Sequence, residues 1–128
     1  MKMKTQAALM GLVASLSFSS VVVAADTEAM MQAAGKEIFT KCSACHSLDS
    51  SKNAFGPSLI GVVGREAASL PRFAYSDALR KSGITWTEDN LRQWIAGNDQ
   101  FVPGTRMRHV EITDKAEQDY LISYLKTL

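Results

Sequence analysis

From Ser47 to Ala74 the sequence SLDSSKNAFGPSLIGVVGREAASLPRFA holds no sustained helical or strand period, and it carries Gly56, Gly61, Gly64, Pro57 and Pro71. A structureless stretch this long argues against a compact domain built from polypeptide contacts alone. It becomes reasonable if the loops wrap a large apolar body that is not polypeptide. Both flanks read as helical. Residues 28–45 place Met31, Ala34, Ile38 and Phe39 at helical spacing. Gly35 interrupts them at a cost of about 1 kcal/mol relative to alanine, so a close helix crossing is expected there. A shorter helix is expected to start at Ser76 and run through DALRK to Gly83. Thr87 precedes EDNLRQWIAG, in which Leu91, Trp94 and Ile95 form an apolar face, Glu88 and Asp89 suit the first turn and Gly97 supplies a stop. Thr113 begins a last helix lined on one side by Ala116, Tyr120, Leu121, Tyr124, Leu125 and Leu128. Strand signal is nearly absent, so the expected class is all-α with long loops.

The first residues belong to a different kind of segment. Lys2 and Lys4 give a positive start, Leu9 to Val23 is almost uncharged, and small residues close the run before Asp26. This pattern predicts a secretory signal over 1–25 and a domain over 26–128, with an uncleaved anchor helix as the alternative. Residues 1–25 hold two of the 14 basic residues and none of the 13 acidic ones, which leaves a formal charge of −1 on the remainder. A nearly neutral chain lacks the basic stripe that phosphate neutralisation requires, and this excludes nucleic acid as the expected partner. An exported, periplasmic compartment permits disulfides.

The chain has two cysteines, in KCSACHS. On a helix Cys42, Cys45 and His46 project from roughly one side, within about 5 to 6 Å along the axis. A disulfide between the pair closes a tiny loop and constrains almost nothing. A thioredoxin-like switch needs a strand leading into the motif. A zinc site needs four ligands, and with His109 as the fourth the spacing is not that of a finger. C-x-x-C-H is instead the attachment pattern of c-type haem, with two thioethers to the porphyrin edge and an axial imidazole on the iron.

A haem iron held by one histidine leaves a sixth position. Met1, Met3 and Met10 fall in the leader, and Met30 and Met31 lie on the same helical segment as His46. Met107 remains, in VPGTRM, where Pro103 and Gly104 break any helix and favour an extended approach. A lone loop methionine is more often a gap-filling side chain, but the local context and the open coordination position favour a ligand here.

GKEIFTKCSACHSL, FGPSLIGVVGR, FAYSDALRKSGITWTEDNLRQWI, FVPGTRM and DYLISYLK occur in this order across residues 35–128. Together they resemble the class I cytochromes c of the mitochondrial and photosynthetic-bacterial soluble type. The resemblance implies a small all-α wrap around one covalent haem c, with N- and C-terminal helices crossing at Gly35 and Tyr124. It implies thioethers at Cys42 and Cys45, axial ligands at His46 and Met107, and a Pro57 carbonyl holding the proximal imidazole. Arg65, Tyr75 and Trp86 match positions that address the haem propionates, Thr105 a hydroxyl near the ligand loop, and Trp94 a residue packed against haem. The family often has Tyr at the place of Trp94 and Asn at that of Leu79, and an aromatic residue where His109 stands. The implied function is a monomeric periplasmic electron carrier with no stable membrane insertion, serving a cytochrome bc-type complex, oxidase, reaction centre or dehydrogenase. The competing class is a peroxidase-like or gas-binding protein, which requires an open iron position. Lys41, Arg106 and Arg108 are expected to ring the exposed haem edge.

Overall fold

The computed structural model describes residues 19–128 except positions 50 and 53; residues 1–18, most of the expected leader, lie outside the described residues. Four helices follow in order: α1 (Ser19–Ser43), α2 (Asp77–Lys81), α3 (Glu88–Phe101) and α4 (Lys115–Leu125). Among the described residues the one β feature outside them is an isolated antiparallel bridge between Glu66 and Thr85. The all-α expectation therefore holds.

Three boundaries differ from the sequence reading. Helix α1 spans Ser19–Ser43 rather than 28–45. No glycine or proline stops it on the N-terminal side, and beyond Ser43 the chain tightens into a turn in which the amides of Cys45 and His46 both donate to the Cys42 carbonyl, at 3.0 and 2.9 Å. Helix α3 does not stop at Gly97 but continues to Phe101 across a kink there, with φ 178° and ψ 85°. Such an extended φ is open to any residue, so the kink is not a demand for glycine. The N-cap of α4 is Asp114, not Thr113; its carboxylate accepts from the Glu117 amide at 2.9 Å. A charged cap is the stronger choice beside the positive end of the helix dipole.

Helices α1 and α4 cross at Gly35. A Cβ at that position would collide with the backbone carbonyl of Tyr120 and lie 2.8 Å from the Tyr124 Cβ. Beside the crossing, the Phe39 and Tyr124 rings sit 5.2 Å apart at 56°. The Ser123 hydroxyl donates to Glu28 at 2.6 Å, which ties the same two helices together about two turns before Gly35 on α1. Arg92 on α3 donates to Asp119 on α4 through Nε and Nη2 at 3.1 and 2.9 Å. The long aperiodic segment is pinned by three backbone bonds: Gly64 to Trp86, Trp86 to Arg65 and Ala67 to Ile84, each 2.8 Å. Each short helix starts on a cap: the hydroxyls of Ser76 and Thr87 accept from the amides of Leu79 and Asn90, both at 3.2 Å. What these elements enclose is a cavity rather than a continuous apolar centre. Of the 13 buried hydrophobic residues among those described, all but Phe39, Val102 and Ile122 form its wall.

Candidate cofactor site

The cavity has a volume of about 750 Å³, inside the range of roughly 300 to 1,000 Å³ typical of small-molecule and cofactor sites. Its walls come from every part of the described fold. The end of α1 contributes Cys42 and Cys45, both free thiols. Burial pushes the Cys42 thiol pKa up, against an opposing pull from Lys41. The two cysteines are not joined, and among the described residues no group of three or more His, Cys, Asp or Glu side chains could hold a metal ion. The disulfide and zinc readings therefore find no support in the geometry.

His46 follows the Cys42 turn and is buried, at 6% exposure. Its Nδ1 donates to the Pro57 carbonyl at 2.7 Å, which leaves the Nε2 lone pair as the unused side of the ring. Gly56 permits this placement. A Cβ there would sit 2.5 Å from Cε1 and 2.7 Å from Nδ1 of the imidazole, so the ring lies directly against the glycine backbone. The Gly56 amide in turn donates to the Cys45 carbonyl at 2.8 Å, closing the loop onto the motif. Burial drives the His46 pKa down, the Pro57 bond opposes it, and the nearby His109 imidazole adds to the lowering. Desolvation disfavours the charged ring and keeps a ligating lone pair available.

Met107 reaches the same cavity from the segment between α3 and α4. Three anchors hold that segment. Asn98 is buried in α3 and its Nδ2 donates to the Met107 carbonyl at 2.8 Å. Arg108 Nη1 donates to the carbonyls of Thr105 and Met107 at 2.9 and 2.8 Å. Further along, the Ile112 amide donates to the Ile95 carbonyl at 3.0 Å, and buried Gln118 donates to the Ile112 carbonyl at 2.7 Å.

Pro57, Arg65, Tyr75, Trp86, Trp94 and Thr105 all line the cavity, so each residue singled out from the sequence is brought to one place. Arg65 is half-buried and donates to the Ile60 and Ser58 carbonyls at 2.9 and 2.8 Å. Among the described residues no carboxylate pairs with it, and burial lowers its pKa. A desolvated guanidinium on a cavity wall suits an acidic group of the occupant. The Trp86 and Trp94 rings meet edge to face at 5.0 Å. An apolar body with an acidic edge and a metal able to take imidazole and thioether donors fits this set.

The three cations expected around the site, Lys41, Arg106 and Arg108, all line the cavity. Lys41 is exposed there, but Arg106 donates to the Ala74 carbonyl and Arg108 is paired with Asp99 at 2.8 Å. The rim also carries large apolar groups, Phe55 and Val110, exposed by 91% and 78%. Gly56 and Asn98 were not identified from the sequence as site residues. The available signal was weak: an asparagine in the apolar phase of α3, three residues after Ile95, and a glycine directly before Pro57.

The sequence profile of the Cytochrome c family matches residues 32–128. The chain is 42% identical over 93 residues to cytochrome c2 of Rhodoblastus acidophilus, covering 72% of this chain and 87% of that protein. It is 43% identical over 93 residues to cytochrome c-550 of Nitrobacter winogradskyi, covering 72% and 85% respectively. Among solved structures, cytochrome cH from Methylobacterium extorquens superposes with a TM-score of 0.72 at 46% identity, covering 76% of this chain and 98% of that one.

Proposed function

The chain belongs to the cytochrome c family and carries haem c covalently through Cys42 and Cys45, and from that premise we propose that it is an exported one-electron carrier with His46 and Met107 as axial ligands. When bound, the haem supplies an Fe(III)/Fe(II) couple whose potential is raised by His/Met ligation. The polypeptide supplies everything else. His46 is oriented by Pro57 and backed by Gly56, so its Nε2 is held in one direction without rotamer freedom. Met107 is carried on a backbone clamped by Asn98 and Arg108, which limits ligand motion between oxidation states. Trp86, Trp94 and Thr105, which line the cavity, would exclude water from the bound group, and Arg65, Tyr75 and Trp86 would address its acidic substituents. A site dry on most sides keeps reorganisation on electron transfer small.

The observation that carries this reading is the convergence, on one cavity of about 750 Å³, of an oriented imidazole and a methionine whose backbone carbonyl is clamped. Residues 1–25 are the cleaved export signal, and the mature protein works as a soluble periplasmic monomer between membrane or periplasmic redox complexes. Among the described residues no helix is long and apolar enough to cross a membrane. The test is a redox titration of the secreted holoprotein, combined with ferric near-infrared absorption and electron-transfer assays against membrane and periplasmic fractions. A sulfur-to-iron charge-transfer band, a positive potential and no reaction with carbon monoxide at neutral pH are expected. Absence of the band with ready carbon monoxide binding would transfer the chain to the ligand-binding class.

A further inference from the structure

Among the described residues, one buried side-chain nitrogen or oxygen has no hydrogen-bond partner: Nε2 of His109. An unpaired buried acceptor has given up its water without a replacement partner, so it needs a reason. His109 lies two residues after Met107 and lines the same cavity. Its Nδ1 donates to the Val110 carbonyl at 2.8 Å. This is the arrangement seen at His46, where Nδ1 donates to the Pro57 carbonyl at 2.7 Å. In both rings the hydrogen bond fixes the tautomer, and Nε2 is left with an unshared pair. A neutral imidazole of this tautomer has no proton at Nε2 to give to a carboxylate on the cofactor. Its unused pair suits a proton donor or a metal, and no donor is supplied by the described residues.

We propose that His109 is a reserve axial ligand, which takes the iron through Nε2 whenever Met107 leaves it. The inference rests on the reading of His46 and Met107 as the resident ligands. The exchange breaks one sulfur–iron bond and forms one nitrogen–iron bond, with no electron transferred and no proton released, since Nε2 carries none. The segment can deliver the ring. From Val102 to Asp114 the chain is in no helix, and His109 lies on the short span between the clamps on the Met107 carbonyl, Asn98 and Arg108, and the next anchor, the Ile112 amide on the Ile95 carbonyl. Ferric iron favours imidazole over thioether, so the exchange belongs to the oxidised protein and lowers its potential. Its consequence is protective: loss of the methionine does not leave an open iron for peroxide or other small ligands.

The experiment compares four ferric holoproteins: wild type, Met107→Ala, His109→Leu and the double variant. Electron paramagnetic resonance and azide titration read the iron. Met107→Ala should be low-spin with two nitrogen ligands, and its azide affinity should be at least about tenfold weaker than that of the double variant, because the internal ligand occupies most of the population. The double variant should be high-spin and open. High-spin iron and equal azide affinities in both would overturn the proposal. A Met107→Ala spectrum indistinguishable from wild type would overturn the assignment of Met107 as ligand, and the reserve role with it. A second comparison needs no change at Met107. On mild heating, wild type should lose the sulfur band while staying low-spin, whereas His109→Leu should lose the band and turn high-spin together. Identical behaviour of these two would also defeat the proposal.

Discussion

Removing the haem should remove the fold. The perturbation is a Cys42→Ala/Cys45→Ala chain, or wild type made where no haem is attached. Among the described residues all but three of the 13 buried hydrophobics line the haem cavity, so they form no independent apolar centre to survive its loss. At about 24 cal/mol per Å³ of uncollapsed cavity, a volume of 750 Å³ corresponds to roughly 18 kcal/mol. The mouth is open and water enters part of the space, so this is an upper figure. A third of it, about 6 kcal/mol, already equals the whole stability of a marginal domain, about 5 to 15 kcal/mol. The close-packed contacts outside the cavity, Phe39 with Tyr124 and Gly35 with Tyr120, join α1 and α4, whereas α3 is tied to α4 there by the partly exposed ion pairs of Arg92 with Asp119 and Lys126 with Glu88. We therefore expect the haem-free chain to show residual helix by far-ultraviolet circular dichroism, no cooperative thermal transition, and amide exchange protection confined to α1 and α4 if present at all. Native helix content with a sharp transition would show instead that the cavity walls pack against one another without haem.

Four further outcomes follow from the same contacts. Gly35→Ala forces a methyl into the Tyr120 carbonyl and should lower the holoprotein's stability by about 1 to 3 kcal/mol, as overpacking does, measured from the denaturant midpoint; an unchanged midpoint would mean that the helices separate freely. Gly56→Ala drives a methyl against the His46 ring and should shift the potential and the paramagnetically shifted imidazole resonances while leaving the haem attached; unaltered resonances would remove the role given to Gly56. Glu28 has its carboxyl pKa held below the usual 4.5, first by the Ser123 hydroxyl and then by Gln32. A depressed folded pKa contributes stability above the ordinary value and loses it as pH falls through the folded one, so Glu28→Gln should flatten the acid limb of the stability profile, and a parallel shift of the whole profile would contradict this. For partner docking, Lys41→Glu at the rim should slow second-order electron transfer about tenfold at low salt, and Lys115→Glu on α4 much less, the gap closing as the Debye length shrinks to roughly 8 Å; equal effects would make docking apolar, through Phe55 and Val110.

What could be read from the sequence was whatever depends on short chain distances. The spacing of Cys42, Cys45 and His46 survives even though α1 ends at Ser43, because the bond from the His46 amide to the Cys42 carbonyl keeps one helical turn in place. The caps of α2 and α3 lie within three residues of the groups they satisfy, and Asp114 took the α4 cap from Thr113 by one position. The misreadings involve partners far away in sequence or context. Gly97 signals an end, yet α3 resumes because Asn98 and Phe101 have somewhere to go: the Met107 carbonyl for one and the edge of the core for the other. The sequence places Arg108 at the edge of the site but does not reveal its pairing with Asp99, nine residues away on α3. Gly56 reads as punctuation until an imidazole is found lying on it. Periodicity identifies which faces of α3 and α4 are apolar, but it does not say whether those faces meet each other or a third body. The segment from Ser47 to Ala74 supplied that answer, because a chain with too little regular structure to close its own core must close around something else.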